Sequence, residues 1–140
     1  MLIAWSIAAL VAIGFAAVPA EPVDFKTLDA GDQGLETRRE AVVRTAAEWT
    51  ALWKQLGAGR PKPAVDFARA TVLGVFLGSR PTAGYTVTIA SIERQGTEIV
   101  VTYRERPPAP TDMVAQMLTA PYLLVTIEKV DGRVRFVRAP

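Results

Sequence analysis

The sequence predicts an α+β domain, a mostly antiparallel β-sandwich or partial barrel with one amphipathic helix packed on it. One segment repeats large apolar side chains at the helical spacing i, i+3, i+4, i+7, and six or seven short segments alternate as strands do. The length of 140 residues suits one hydrophobic core. We therefore expect a single domain over residues 21–140, preceded by a separate N-terminal segment.

The N-terminal segment, residues 1–20, is almost wholly apolar and carries no charged side chain before Glu21. Small residues at Val18-Pro19-Ala20 stand where a signal peptidase cleaves, so we predict a signal peptide that ends at Ala20. An uncleaved N-terminal anchor is the alternative, because no Lys or Arg precedes the apolar run. Either interpretation places residues 21–140 outside the cytoplasm, in the periplasm or secreted.

The first elements of the domain are two short strands. Apolar alternation predicts a strand over residues 23–28, and Asp, Gly and Gln residues over 29–34 predict a turn after it. The Ala-Val-Val run at 41–43 predicts the second strand.

A helix follows, and its sequence signals agree with one another. Thr45 and Glu48 have the spacing of a capping box, in which each side chain bonds to the other residue's backbone N–H. Gly57 suits the left-handed conformation that ends many helices. One face of the helix should be buried, and it carries Trp49, Leu52, Trp53 and Leu56.

A connection over residues 57–63, rich in Gly and Pro, leads to the predicted centre of the sheet. The segment 71–77 is apolar at both alternate sets of positions, so we expect a central strand that is buried on both faces. Residues 107–110, Pro-Pro-Ala-Pro, break the chain later and precede a short segment over 113–118. We interpret this proline run as a stiff connection between strands.

Two hairpins are predicted after the central strand. A three-residue loop, Gln95 to Thr97, would place Ile89 opposite Tyr103 and Arg94 opposite Glu98, and would keep the apolar side chains of both strands on one face. In the second hairpin, a two-residue Asp131-Gly132 turn would pair Ile127 with Phe136 and Glu128 with Arg135.

The composition argues against most catalytic chemistry. The chain has no Cys and no His, so thiol catalysis, zinc–thiolate sites and the commonest general base are excluded. Ser79 and Ser91 are the only serines after residue 20, and neither lies in a recognised nucleophile motif. No metal-ligand spacing or nucleotide-binding glycine loop is present, and a net charge of +2 does not predict nucleic-acid binding. We expect a protein that is not an enzyme and binds no cofactor or metal.

The loop after the central strand is the candidate partner-binding site. It contains Arg80, Pro81, Thr82, Gly84 and Tyr85, a set in which Pro81 and Gly84 favour a rigid turn. A rigid loop loses little entropy on binding, and Arg and Tyr are frequent anchors at interfaces. An ordinary structural loop between two strands is the alternative.

Several motifs together resemble the PrcB C-terminal family, named for a subunit of a bacterial surface protease complex. In order, they are Trp49-x-x-Leu52-Trp53, Val65-Asp66-Phe67, the Leu73–Tyr85 stretch with Gly-x-Arg-Pro-Thr-x-Gly-Tyr, and Leu118-Thr-Ala-Pro-Tyr122. The resemblance covers about residues 45–130. It implies a non-catalytic envelope or secreted protein whose partner is a protease that it stabilises or regulates. The chain has no Cys, so a lipid-modified N-terminus is not implied, and membrane contact is expected only through an uncleaved N-terminal segment.

The same loop is similar, in a shorter stretch, to the Asn-Pro-Thr-Thr-Gly-Tyr loop of chagasin-like inhibitors of cysteine proteases. Arg80 and Ala83 depart from that motif, and the glycine-rich second loop and the Arg-Pro-Trp third loop of the inhibitors are not found. The sequence thus leaves three functions open: a protease-associated subunit as the first choice, a protease inhibitor acting through Arg80–Tyr85, and a structural envelope domain.

Overall fold

The computed structural model describes residues 19–57 and 59–140. In that part of the chain it contains eight strands and one helix, so the predicted α+β sandwich with a single helix is confirmed. The elements in chain order are β1 (Ala20–Pro22), β2 (Lys26–Gly31), β3 (Arg39–Val43), α1 (Ala46–Leu56), β4 (Ala70–Phe76), β5 (Thr86–Gln95), β6 (Glu98–Arg106), β7 (Tyr122–Glu128) and β8 (Val134–Arg138).

The strands form two four-stranded sheets. The first has the order β1-β5-β6-β8 and the second the order β2-β7-β4-β3. Neighbouring strands are antiparallel except for β6 and β8, which are parallel. Apolar side chains from both sheets pack together between them, as Val23, Leu73, Ile92, Ile99, Val101, Val125, Ile127 and Val130.

Strand β4 is buried on both faces, as its uniformly apolar sequence predicts. Val72 and Phe76 pack towards α1, and Leu73 packs towards the first sheet. The helix covers the outer face of the second sheet with its four predicted apolar residues, which are 2–8 % exposed. Thr45 is the N-cap as predicted, because its Oγ1 accepts from the Glu48 N–H at 3.2 Å, and Gly57 ends the helix with φ +56°. The second bond of the predicted capping box differs, since Glu48 Oε2 accepts from the Arg44 N–H at 3.4 Å and not from Thr45.

The predicted first strand over 23–28 is correct only from Lys26, where β2 begins, because residues 23–25 cross from one sheet to the other. Val23 is buried between the sheets, whereas Leu28 packs on the cluster under the helix. The chain is therefore in β1 before this crossing and in β2 after it. The predicted turn over 29–34 is also corrected, since β2 continues to Gly31. Strand β3 confirms the second predicted strand, and the connection 57–63 contains neither helix nor strand in its described residues.

The β5–β6 hairpin is correct at one end and shifted by one residue at the other. Ile89 lies opposite Tyr103 as predicted, but Gln95 lies opposite Glu98, so the turn has two residues and Arg94 faces Ile99. A bulge between Ile89 and Ser91 absorbs the difference. The side chain of Arg94 pairs instead with Glu128, at 2.7 Å between Nη2 and Oε1.

The predicted hairpin between the last two strands is wrong, because β7 and β8 belong to different sheets. Val130 is 5 % exposed, and its N–H donates to Thr71 Oγ1 at 3.2 Å, so the chain stays against β4 beyond the end of β7. It then crosses to the first sheet, where Phe136 lies opposite Val101 and Arg135 pairs with Glu98 at 2.6 Å.

The predicted signal peptide, residues 1–20, lies almost wholly outside the described residues, which begin at residue 19. Within the part that the structure does describe, no helix has the length and apolar character needed to span a membrane.

Candidate protein-binding site

The predicted binding loop, residues 80–85, connects β4 to β5 and lies beside a second loop, residues 113–119, before β7. The Arg80 N–H donates to the Thr119 carbonyl at 2.7 Å, and the Thr119 N–H donates back to the Arg80 carbonyl at 3.0 Å. The Ala83 N–H donates to the Ala115 carbonyl at 3.0 Å. We call these two segments the loop pair.

Two threonines fasten the loop pair from within. Thr119 is 3 % exposed, and its hydroxyl donates to the Thr82 carbonyl at 2.8 Å. The Thr82 hydroxyl donates to the Ala83 carbonyl at 2.9 Å. These bonds satisfy polar groups that the loops bury, and they hold the backbone in one conformation.

Gly84 sits where the loop pair meets the proline run, and no side chain fits at this position. Its φ of +94° is outside the range that residues with a Cβ readily adopt. A Cβ placed there would lie 2.8 Å from Val114 Cγ1 and 2.9 Å from Pro108 Cβ. The proline run 107–110 has no regular structure, and Pro108 packs against the loop pair in this way.

A charged anchor joins the loop pair to the first sheet. Arg80 Nε lies 2.5 Å from Glu105 Oε1, and the side chains are 20 % and 9 % exposed. Arg138 Nη2 reaches the other carboxylate oxygen at 2.6 Å. The hydrogen bond from Arg80 is the main cause that holds the pKa of Glu105 below its usual value. Arg80 therefore has a structural role, because it anchors the loop pair to β6.

The surface of the loop pair exposes three large apolar side chains: Met113 is 102 % exposed, Leu118 is 73 % and Met117 is 48 %. Pro81 is also exposed, and Tyr85 is half-buried at the start of β5. The sequence prediction missed the two methionines and Leu118. The signal available was a run of large apolar residues after the proline break without the alternation of a strand.

Two buried tyrosines lie in hydrogen-bonded clusters elsewhere in the fold. The Tyr122 hydroxyl donates to Asp29 at 2.7 Å and accepts from Arg60 at 2.8 Å. The Tyr103 hydroxyl donates to Glu40 at 2.9 Å and accepts from Arg38. Burial is the main cause that raises the pKa of each phenol, so both stay protonated and join distant segments by hydrogen bonds.

The described residues also contain no group of three or more His, Cys, Asp or Glu side chains placed to hold a metal ion. The polar clusters described above consist of ion pairs and tyrosine hydrogen bonds, and each joins segments that are distant in the sequence.

The geometry defines a class of protein: a small two-sheet sandwich that presents a braced loop pair with an apolar surface. The model of the PrcB C-terminal family matches residues 71–128, and the resemblance predicted from sequence is confirmed over this segment. The match includes β4 to β7 and both members of the loop pair, and it begins after α1. No curated protein and no solved structure gave a match. Nothing in these comparisons supports the chagasin-like similarity of the loop.

Proposed function

We propose that this chain is a non-catalytic, extracytoplasmic protein-binding domain that associates with a protease and stabilises or regulates it. The observation that carries the proposal is the exposed apolar surface of the loop pair. The partner binds there through Met113, Met117 and Leu118, flanked by Pro81 and Tyr85.

Exposed methionine and leucine side chains on a braced backbone favour protein binding over a purely structural role. Grouped apolar side chains cost free energy in water, and their burial by a partner recovers it at about 25 cal/mol per Å². Methionine adapts its flexible thioether chain to the shape of a partner. The hydrogen bonds of Thr82 and Thr119 order the loops before binding, which lowers the entropy cost of association.

A protease is the proposed partner because residues 71–128 match the family named for a protease-complex subunit. The lack of Cys and His in the whole chain supports a binding role rather than catalysis. Arg80, Thr82 and Gly84 contribute by holding the shape of the surface, whereas Pro81 and Tyr85 are placed to touch the partner.

The extracytoplasmic location rests on the apolar segment before Glu21. A protein recovered from the periplasm or culture medium should begin at or near Glu21, as measured by mass spectrometry of the N-terminal peptide. Recovery of intact Met1 in the soluble cytoplasmic fraction would contradict this part of the proposal.

The binding role is tested with two double variants used as baits against the extracytoplasmic fraction. Met117→Ser with Leu118→Ser removes the apolar surface, and Ala51→Ser with Lys54→Ser places the same side chains on the exposed side of α1. The wild type and the helix variant should retain a protease that mass spectrometry identifies, and the loop variant should lose it without a change in thermal midpoint. Equal retention by all three baits, or no protease with any, would overturn the proposal.

A further inference from the structure

The first half of β5 has a neighbouring strand on one side only. Strand β1 pairs with β5 from Gln95 to Glu93, and the Val23 N–H adds one bond to the Ile92 carbonyl at 2.8 Å. Residues 86–91 pair with β6 on their other side, and no described strand lies along their outer side. Before the bulge at Ala90, every second residue of this stretch therefore directs its backbone N–H and C=O outward.

The part of this open edge that precedes the bulge at Ala90, residues 86–89, lacks the features that normally prevent unwanted strand pairing. Natural edge strands carry charges, prolines or bulges that block another chain. The other outer strands bear such charges: Lys26 and Asp29 on β2, Arg39 and Glu40 on β3, and Arg135 and Arg138 on β8. Residues 86–89 instead read Thr-Val-Thr-Ile, with no charge and four β-branched residues. Such a sequence is suited to accept a further strand.

Grooves lie at both ends of the open edge, beside the crossing between the sheets. One groove of about 410 Å³ lies between residues 84–87 and residues 30–32, with Pro121 and Tyr122 completing it. A second, of about 360 Å³, lies between residues 90–93 and residues 22–25. Val87 and Ile89 face the core but remain half-buried, so an added strand would cover them.

The charge next to the edge indicates the chemistry of the added strand. On β6, Arg106 lies opposite Thr86 and is exposed, whereas Arg104 Nε donates to the carbonyl of Pro140, which follows β8, at 3.2 Å. The Thr86 side chain is short, so the Arg106 guanidinium can extend across it to a carboxylate on a strand beyond β5. A second copy of this chain paired at this edge would add the same uncharged residues 86–89 and so would offer Arg106 no carboxylate.

We propose that residues 86–89 accept an extended acidic segment of a partner protein as an additional strand of the first sheet. Backbone hydrogen bonds supply affinity, and Arg106 selects a carboxylate of the segment next to Thr86. Apolar residues of the segment cover Val87 and Ile89. Residues 86–89 do not include Met113, Met117 or Leu118, so the inference holds whether or not the partner is a protease.

The test uses an eight-residue peptide of alternating Val and Glu, its Val–Lys counterpart, and a Val–Glu peptide with alternate N-methylated residues. Amide hydrogen exchange of the full chain is followed by NMR. The Val–Glu peptide should slow exchange of alternate amides within residues 86–89, an effect that charge attraction alone does not produce. Each of the other two peptides should bind at least about 10-fold more weakly.

Two charge reversals complete the test. Arg106→Glu should weaken the Val–Glu peptide about 10-fold and strengthen the Val–Lys peptide. Arg39→Glu, at an exposed arginine on β3, an outer strand of the second sheet, should leave both unchanged. No slowed amides at millimolar peptide, or equal binding of both peptides, would overturn the proposal. Protection that grows with protein concentration in the absence of peptide would also overturn it, because the occupant would then be a second copy.

Discussion

Arg80 donates a 2.5 Å hydrogen bond to Glu105, and this ion pair ties the loop pair to the first sheet. The carboxylate is 9 % exposed and also contacts Arg138, so three segments of the chain meet at one charge. The loop surface proposed to bind a partner therefore depends on an ion pair that lies mostly below the surface.

Arg80→Glu should destabilise the protein by about 3 kcal/mol, because it leaves two carboxylates facing each other in a mostly buried place. Arg69→Glu is the matched control. Its partner Asp66 is 3.8 Å away and both side chains are largely exposed, so the change should be below about 0.5 kcal/mol. Urea melts measure both free energies. Equal small losses would mean that the Arg80–Glu105 pair is no anchor.

Because of the same ion pair, the free energy of unfolding should decrease at acid pH. The pKa of Glu105 is lowered in the folded state, chiefly by the Arg80 hydrogen bond, from a value of 4.5. Its contribution is therefore present above about pH 4.5 and is lost as the pH falls through the lower folded pKa. Urea melts from pH 7 to pH 2 should show this loss, and Glu105→Gln should reduce the slope. An unchanged slope in Glu105→Gln would contradict the assignment.

The helix cap and the buried indole should differ in their effects on stability. Thr45→Ala removes one capping hydrogen bond and should cost about 1 kcal/mol. Trp53→Ala should cost about 3–5 kcal/mol, because the indole is 8 % exposed and its N–H donates to the Arg60 carbonyl at 3.2 Å. Urea melts compare the two variants directly. Equal mild effects would mean that the apolar face of α1 does not pack.

Substitutions at Gly84 and Gly57 separate the cost of backbone strain from the cost of steric crowding by an added Cβ. Both have positive φ, but a Cβ at Gly57 meets nothing within 4 Å, whereas one at Gly84 meets Val114 and Pro108. Gly57→Ala should cost about 1 kcal/mol of backbone strain. Gly84→Ala should cost more, and should speed amide exchange at Ala83, whose N–H joins the loops. Equal costs and unchanged exchange at Ala83 would show that the loops can separate freely.

The helix and the central strand were predictable because their signals are local. Thr45, Gly57 and the apolar spacing between them specify α1 without reference to the rest of the chain. The uninterrupted apolar run of β4 likewise predicts burial on both faces. Neither prediction requires knowledge of which distant strand lies beside the segment.

The pairing of strands was harder to predict, because a single residue can change which residues lie opposite one another or which sheet the next strand joins. The bulge at Ala90 has no signature in the sequence, yet it moves Arg94 from the predicted Glu98 to Ile99. The Asp131-Gly132 dipeptide suits a hairpin turn, but burial of Val130 keeps the chain against β4 until it crosses to the other sheet.

The conformation of the candidate binding loop was predictable only in part. The sequence located residues 80–85 and their turn-forming Pro81 and Gly84. It could not show that Arg80 forms an ion pair with Glu105, 25 residues away, or that residues 113–119 lie beside residues 80–85. The first depends on the pairing of β5 with β6, and the second on the long-range pairing of β4 with β7. The exposed Met113 and Met117 can be interpreted as part of a binding surface only when residues 113–119 are known to lie beside residues 80–85.

Binding of a protease at the loop pair is tested most directly by site-specific photo-crosslinking in the native cell. A benzophenone amino acid introduced in place of Met117 faces any partner at the loop pair, and the same group in place of Lys54 on α1 is the control. We expect a crosslink from position 117 to a protease, identified by mass spectrometry, and none from position 54. Crosslinks of equal yield from both positions, or none from position 117, would contradict binding at the loop pair.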